Sequence, residues 1–186
     1  MEFIPDLSLG FLNGWLPLAV FYLPFGALML IWPKDIVAKL YDISGWSKFE
    51  RNMSLLAKPF SFSSMALLIF APLKRSSPVF WIGLALYLVG YVVIFTALFN
   101  YRNTPVDKPV ARGLYRYSRN PQWLGLLLIF FASGVMTGFG LVLLLLTLSA
   151  ATTHFRILGE ERVCLQRYGD SYQRHLEEVP RYFAVF

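Results

Sequence analysis

Long apolar runs decide most of what this chain can fold into. They cover residues 9–32, 53–73, 79–99, 121–135 and about 141–155, and polar or basic segments separate most of them. Runs near 20 residues match the thickness of a bilayer core, and in lipid a helix satisfies its own backbone groups. The expected class is all-α. It is a polytopic transmembrane helical protein of about five spanning helices, with a C-terminal helical hairpin and a cytoplasmic C-terminal helix.

Composition agrees. Only 15% of the 186 residues are charged, where a soluble domain would carry roughly 25%. One integral membrane domain over residues 1–186 is therefore expected. The formal net charge of +6 fits basic loops facing an anionic leaflet better than nucleic acid, which is not an expected partner. Cys164 is the single cysteine, so neither an internal disulfide nor a CxxC metal site is available. The opening MEFIPDLSLG has no basic region, so no cleavable leader is expected.

Along the chain, Pro17 and Pro24 predict a kinked first helix, and Trp15 and Trp32 are placed to anchor it at the two interfaces. The connection at 33–52 contains DIVAKLYDI, whose helical spacing suits a helix lying on the membrane surface. Lys58 interrupts the second run near its start and is expected to snorkel, with a substrate contact as the alternative. Gly83 and Gly90 allow close helix packing in the third run. Residues 134–140 supply a turn, so the last two runs form a hairpin. The tail is amphipathic at first and ends in the aromatic PRYFAVF. With the N-terminus placed outside, almost every loop Lys and Arg falls on one face and only Lys74 and Arg75 on the other. The positive-inside rule then makes the N-terminus non-cytoplasmic.

Two polar clusters flank the hairpin on that basic face, RGLYRYSRNPQWLG at 112–125 and RILGEE at 156–161. Pro121 suits the first turn of a helix and Asn120 its cap, and the free N–H groups beyond would favour an anion. An ordinary capped helix with basic flanks reads the same way. Glu160 and Glu161 repel one another unless paired, and they can bind an ammonium or a ribose, or pair with Arg156. Alone they read as solvated charges, with Glu161 beside Arg162. Together the clusters offer what a zwitterionic amino-acid group needs. His154 and His175 stand in no HxxH or HExxH pattern, so no metal is expected. GxSxG and P-loop patterns are absent, Gly138-Phe139-Gly140 reads as a turn, and Cys164 as a packing residue.

These residues resemble the integral-membrane methyltransferases, a superfamily that includes isoprenylcysteine carboxyl methyltransferases and phospholipid N-methyltransferases. The pattern G-x-Y-x-x-x-R-[HN]-P-x-[YW] is met by Gly113, Tyr115, Arg119, Asn120, Pro121 and Trp123. The pattern E-E-x-x-L-x-x-x-[FY]-G-x-x-Y is approximated by Glu160, Glu161, Gly169 and Tyr172, with Leu165 one place off. The likeness covers about residues 111–183. It implies methyl transfer from S-adenosyl-L-methionine to a lipid-like or prenylated acceptor, with 111–186 binding the cofactor and 1–110 on the acceptor side. Gly113, Tyr115, Arg119, Asn120, Pro121, Trp123, Gly125, Glu160 and Glu161 are the implied cofactor residues. Asn120 and Arg156 are the candidates for catalysis, with Arg156 orienting an anionic acceptor. Asn120 departs from the histidine of many members and cannot titrate near neutrality. Methyl transfer is an in-line displacement and needs positioning above all. Trp123, Tyr115 and Tyr117 are placed to face the sulfonium. The polar cofactor would arrive from the cytoplasm and the acceptor sideways from the membrane. The competing readings are a membrane thiol methyltransferase, an NADPH-dependent sterol-type reductase and a non-enzymatic lipid-binding scaffold.

Overall fold

A computed structural model describes residues 1–183; residues 184–186, the last of the aromatic tail, lie outside the described residues. The elements are α1 (Trp15–Ile31), α2 (Lys34–Leu40), α3 (Lys48–Phe70), α4 (Pro78–Arg102), a single 3₁₀ turn (Gly113–Arg116), α5 (Pro121–Thr137), α6 (Gly140–Tyr168) and α7 (Asp170–Glu178). All regular structure among the described residues is helical, apart from two isolated bridges. α3, α4 and α6 are each long and apolar enough to cross a membrane, and α1 and α5 are shorter apolar helices of 17 residues. The chain is a polytopic membrane protein.

The helices pair off. α5 packs along α4 and α6 along α3, whereas α5 and α6 touch little beyond their turn. Small residues explain the first pair. A Cβ on Gly125 would stand 2.6 Å from the Ile94 backbone nitrogen, and one on Gly90 would stand 3.0 Å from the Gly125 carbonyl. Without side chains there, the two backbones meet directly. Tyr87, Ile94, Ile129 and Met136 fill the rest of this contact with Phe21 of α1. The second pair combines an apolar cluster of Leu68, Val142 and Leu146 with polar contacts, the Ser61 and Ser149 hydroxyls 2.7 Å apart and Arg162 bonded to Glu50 at 2.7 Å. Glu50 also closes a capping box with Ser47, which starts α3 five residues earlier than the apolar run.

The hairpin turn uses Gly138 in the left-handed conformation at φ 68°. The N-terminal segment lies across it, with Gly140 N–H bonded to the Glu2 carbonyl at 2.8 Å and Glu2 paired to Lys74 at 2.7 Å. The two polar clusters sit at the opposite end of the bundle. α2 forms where helical spacing places it and buries none of its residues fully.

Several local expectations shift. α6 continues unbroken through 155–168, because nothing between Phe155 and Tyr168 breaks a helix; Glu160 and Glu161 therefore lie on a helix that extends past the apolar stretch. Trp32 is 4% exposed and packs on Phe99 and Arg102 in the core instead of anchoring an interface. Pro17 falls in the first turn of α1, where no helix bond is lost, and its carbonyl accepts the Tyr87 hydroxyl at 2.6 Å. Lys58 stands exposed on α3 and lines none of the cavities described below.

Candidate active site

The segment between α4 and α5 is folded back by two devices. Gly113 has φ 58°, and any side chain there would collide with Asn100. The Asn100 Oδ1 accepts the Leu114 N–H at 2.9 Å, which closes the 3₁₀ turn and buries Tyr115. Past that turn, backbone and side chains are sewn to the end of α7 and the segment after it. Arg119 N–H bonds the Pro180 carbonyl at 2.9 Å and its Nη1 bonds the Leu176 carbonyl at 2.8 Å. The Ser118 hydroxyl donates to the Arg181 carbonyl at 3.0 Å.

Asn120 takes the N-cap position of α5, but its side chain does not cap the helix. It reaches across to Glu161, with Nδ2 3.2 Å from Oε1. The first-turn N–H groups of α5 are thereby left without a side-chain acceptor. Glu161 is buried among positive groups. Arg181 donates to both of its oxygens, Nε at 3.1 Å to each and Nη2 at 2.9 Å. Arg119 Nε stands 3.2 Å away, close enough for ionic attraction but poorly aligned for a hydrogen bond. Two guanidinium groups against one carboxylate leave a surplus of positive charge beside the bare N-terminus of α5.

Glu160 points elsewhere. Its oxygens accept Arg156 Nε at 2.8 Å and Trp123 Nε1 at 3.3 Å. The Arg156 guanidinium is stacked between two indoles, 4.4 Å from the Trp123 ring centre and 4.9 Å from that of Trp46. Such stacking suits the flat, weakly hydrated guanidinium. The pairing of Arg156 with Glu160 is the one the four-residue spacing predicts. Arg162 instead bonds Glu50, so it does not neutralise Glu161.

Tyr115, Arg119, Asn120, Trp123, Glu160 and Glu161 together line a polar cavity of about 150 Å3. The remaining candidates stand outside its lining. Gly113 shapes the turn before it, Pro121 starts α5, Gly125 packs on Ile94, and Arg156 lies behind Trp123. Tyr117 is 65% exposed and does not line the cavity, so it is not placed to face a bound sulfonium.

Other residues of the cavity carry no signal in the motifs. Lys39 of α2 stands 5.5 Å from the Tyr101 ring and 5.6 Å from the Tyr168 ring. Asp42 is bonded to Arg167 at 2.6 Å, and hydrogen bonds from Ser44 and then Arg167 hold its carboxyl well below the usual range. Gln122 lines the cavity, and its Nε2 is buried without a partner among the described residues. Arg181, the main partner of Glu161, was hidden because PRYF reads as an aromatic tail. Burial pushes the Tyr115 and Tyr172 phenols up and the His175 imidazole down, so all three are neutral near pH 7.

Two apolar grooves flank the polar cavity. One, of about 360 Å3, runs between α3, α5 and α6 past Met65, Leu126, Phe130 and Leu146, and it also holds His154 and Tyr182. The other, of about 280 Å3, runs past Phe21, Phe25, Ile94 and Leu98 to Arg156 and Glu160. Trp123 lines the polar cavity and both grooves.

Residues 78–171, from the start of α4 into α7, match the family model for phospholipid methyltransferase. That is just over half of the chain, so the chain belongs to this family and is a membrane methyltransferase. No curated protein and no solved structure matches it.

Proposed function

From its membership of the phospholipid methyltransferase family, we propose that this protein moves a methyl group from S-adenosyl-L-methionine to the amine headgroup of a membrane lipid. The observation that carries the reading is the position of Trp123, which walls one polar cavity and two apolar grooves at once. A water-soluble methyl donor and a lipid acceptor need a shared wall of that kind.

The cavity fits a zwitterionic cofactor. The uncapped N-terminus of α5, with Arg119 beside it, suits a carboxylate. Glu160 suits an ammonium or a ribose, and the orphaned Gln122 Nε2 is a donor awaiting an acceptor. When bound, the cofactor would supply an electrophilic methyl on a sulfonium. The chain's own contribution is to hold, orient and exclude water. Trp123 and Glu160 would face the positive sulfur. Asn120 and Arg156 are proposed as positioning residues, since Asn120 holds Glu161 and Arg156 holds Trp123 and Glu160. The site is proposed to face the cytoplasm, because the basic loops gather at its end of the bundle. Residues 111–186 supply most cofactor contacts in this reading, joined by Lys39 and Tyr101 from the first half. The thiol, reductase and scaffold readings have no comparable support.

The test is direct. The full chain, purified into lipid nanodiscs, should bind S-adenosylmethionine in calorimetry and pass a labelled methyl to phosphatidylethanolamine in preference to a prenylcysteine carboxylate. Absence of cofactor binding would overturn the proposal, and label on the carboxylate alone would move the acceptor.

A further inference from the structure

One titratable pair lies outside the polar cavity, inside the apolar groove between α3, α5 and α6. His154 Nδ1 and the Tyr182 hydroxyl are 2.9 Å apart, and both side chains line that groove. Ionisable residues among the apolar walls of a membrane protein are expensive and rarely idle. Among the described residues, His154 Nε2 has no hydrogen-bond partner. His154 and Tyr182 are the titratable groups in the groove lining contributed by α3, α5, α6 and the C-terminal segment. Burial raises the Tyr182 phenol, so it stays neutral beside the imidazole.

An amine headgroup reaches the membrane surface as an ammonium, which has no lone pair to attack a methyl. It must lose one proton first, to a group that titrates near neutrality. The rival groove offers none, since it ends at Glu160, a carboxylate already accepting from Arg156 and Trp123. We infer that the lipid amine comes to Trp123 through the α3–α5–α6 groove and that His154 Nε2 is its proton acceptor. Tyr182 holds the ring by accepting from Nδ1–H, which leaves the Nε2 lone pair facing the groove. The ammonium gives its proton to Nε2. The freed nitrogen pair then forms the N–C bond as the C–S bond breaks, its electrons staying on sulfur as a thioether. The imidazolium passes its proton to water at the membrane surface.

This inference rests on the amine-acceptor reading above, and its experiment separates the two. Methyl transfer to phosphatidylethanolamine is followed across pH in nanodiscs with the full chain at saturating cofactor. The wild-type kcat should rise with pH and then level off once the accepting base is free of its proton. His154→Asn keeps a donor for Tyr182 but no base, so kcat should fall about 100-fold at pH 7. It should recover as pH climbs toward the amine's own range, while calorimetric affinity for the cofactor is unchanged. Tyr182→Phe, which spares the ring, should lower kcat less and move the apparent pKa; it decides the matter if His154→Asn does not fold. Transfer to the amine with wild-type profiles in these variants would sink the histidine role alone. No transfer by the wild type to any lipid amine would sink both readings.

Discussion

Arg181 grips the carboxylate of Glu161 with its Nε 3.1 Å from both oxygens and its Nη2 2.9 Å from one of them. Glu161 sits on α6 and Arg181 beyond α7, so this pair docks the C-terminal segment over the polar cavity. Arg119 and Asn120 join the same carboxylate from the α5 side. The end of the bundle that carries the polar cavity is therefore a three-way closure.

Breaking that closure should cost both binding and stability. Glu161→Ala leaves the buried Arg119 and the partly buried Arg181 without their carboxylate, and loss of one partner of a buried pair typically costs about 3–5 kcal/mol. Cofactor binding should be lost in calorimetry and thermal unfolding should move to lower temperature. Arg181→Ala should weaken binding by at least about tenfold, since Arg119 still answers the carboxylate. Wild-type affinity in both variants would show that the closure is unrelated to the cofactor.

The contact between α4 and α5 should be intolerant of a single methyl. Gly125→Ala places a Cβ 2.6 Å from the Ile94 backbone nitrogen, which cannot swing aside as a side chain would. A loss of about 1–3 kcal/mol follows from overpacking. A Cβ on Gly26 meets nothing within 4 Å, so Gly26→Ala should be neutral or stabilising. Unfolding in matched detergent compares them.

Stacking between Trp46 and Trp123 makes Arg156 hard to replace by another cation. Arg156→Lys keeps the charge but cannot lie flat between two indoles while bonding Glu160. A fall in kcat of about tenfold or more is expected, with the cofactor dissociation constant changed less than twofold. An equal fall in affinity would make Arg156 a cofactor ligand instead.

Acid should release α2 from the end of α6. The Asp42 carboxyl is held below its ordinary pKa by Ser44 and then Arg167. A lowered folded-state pKa means that the contact stabilises fully above the unfolded value, near ~3.9, and that this stability drains away as pH falls from there through the lower folded value. Hydrogen exchange should show the 34–44 segment opening below about pH 4, and Asp42→Asn should remove that pH dependence.

The apolar runs marked where helices lie, because in lipid few other structures satisfy the backbone. Six of the motif residues are brought to one cavity. Their individual directions were not legible. Asn120 has the sequence position of a helix cap, yet its amide goes to Glu161, because a buried carboxylate between two arginines attracts a donor more strongly than neutral backbone N–H groups attract an acceptor. Arg181 and Glu50 act across long sequence separations, and local spacing carries no record of such pairs. The start of α3 at Lys48 was masked by charged residues that a capping box makes helical.

The docking of residues 176–181 onto Arg119 and Glu161 has a consequence for truncation. A chain cut before Leu176 would keep α5 and α6 whole but leave Arg119 without the Leu176 and Pro180 carbonyls and Glu161 without Arg181. Buried charge left short of partners is costly, so such a piece should keep its spanning helices while its motif-bearing end loosens.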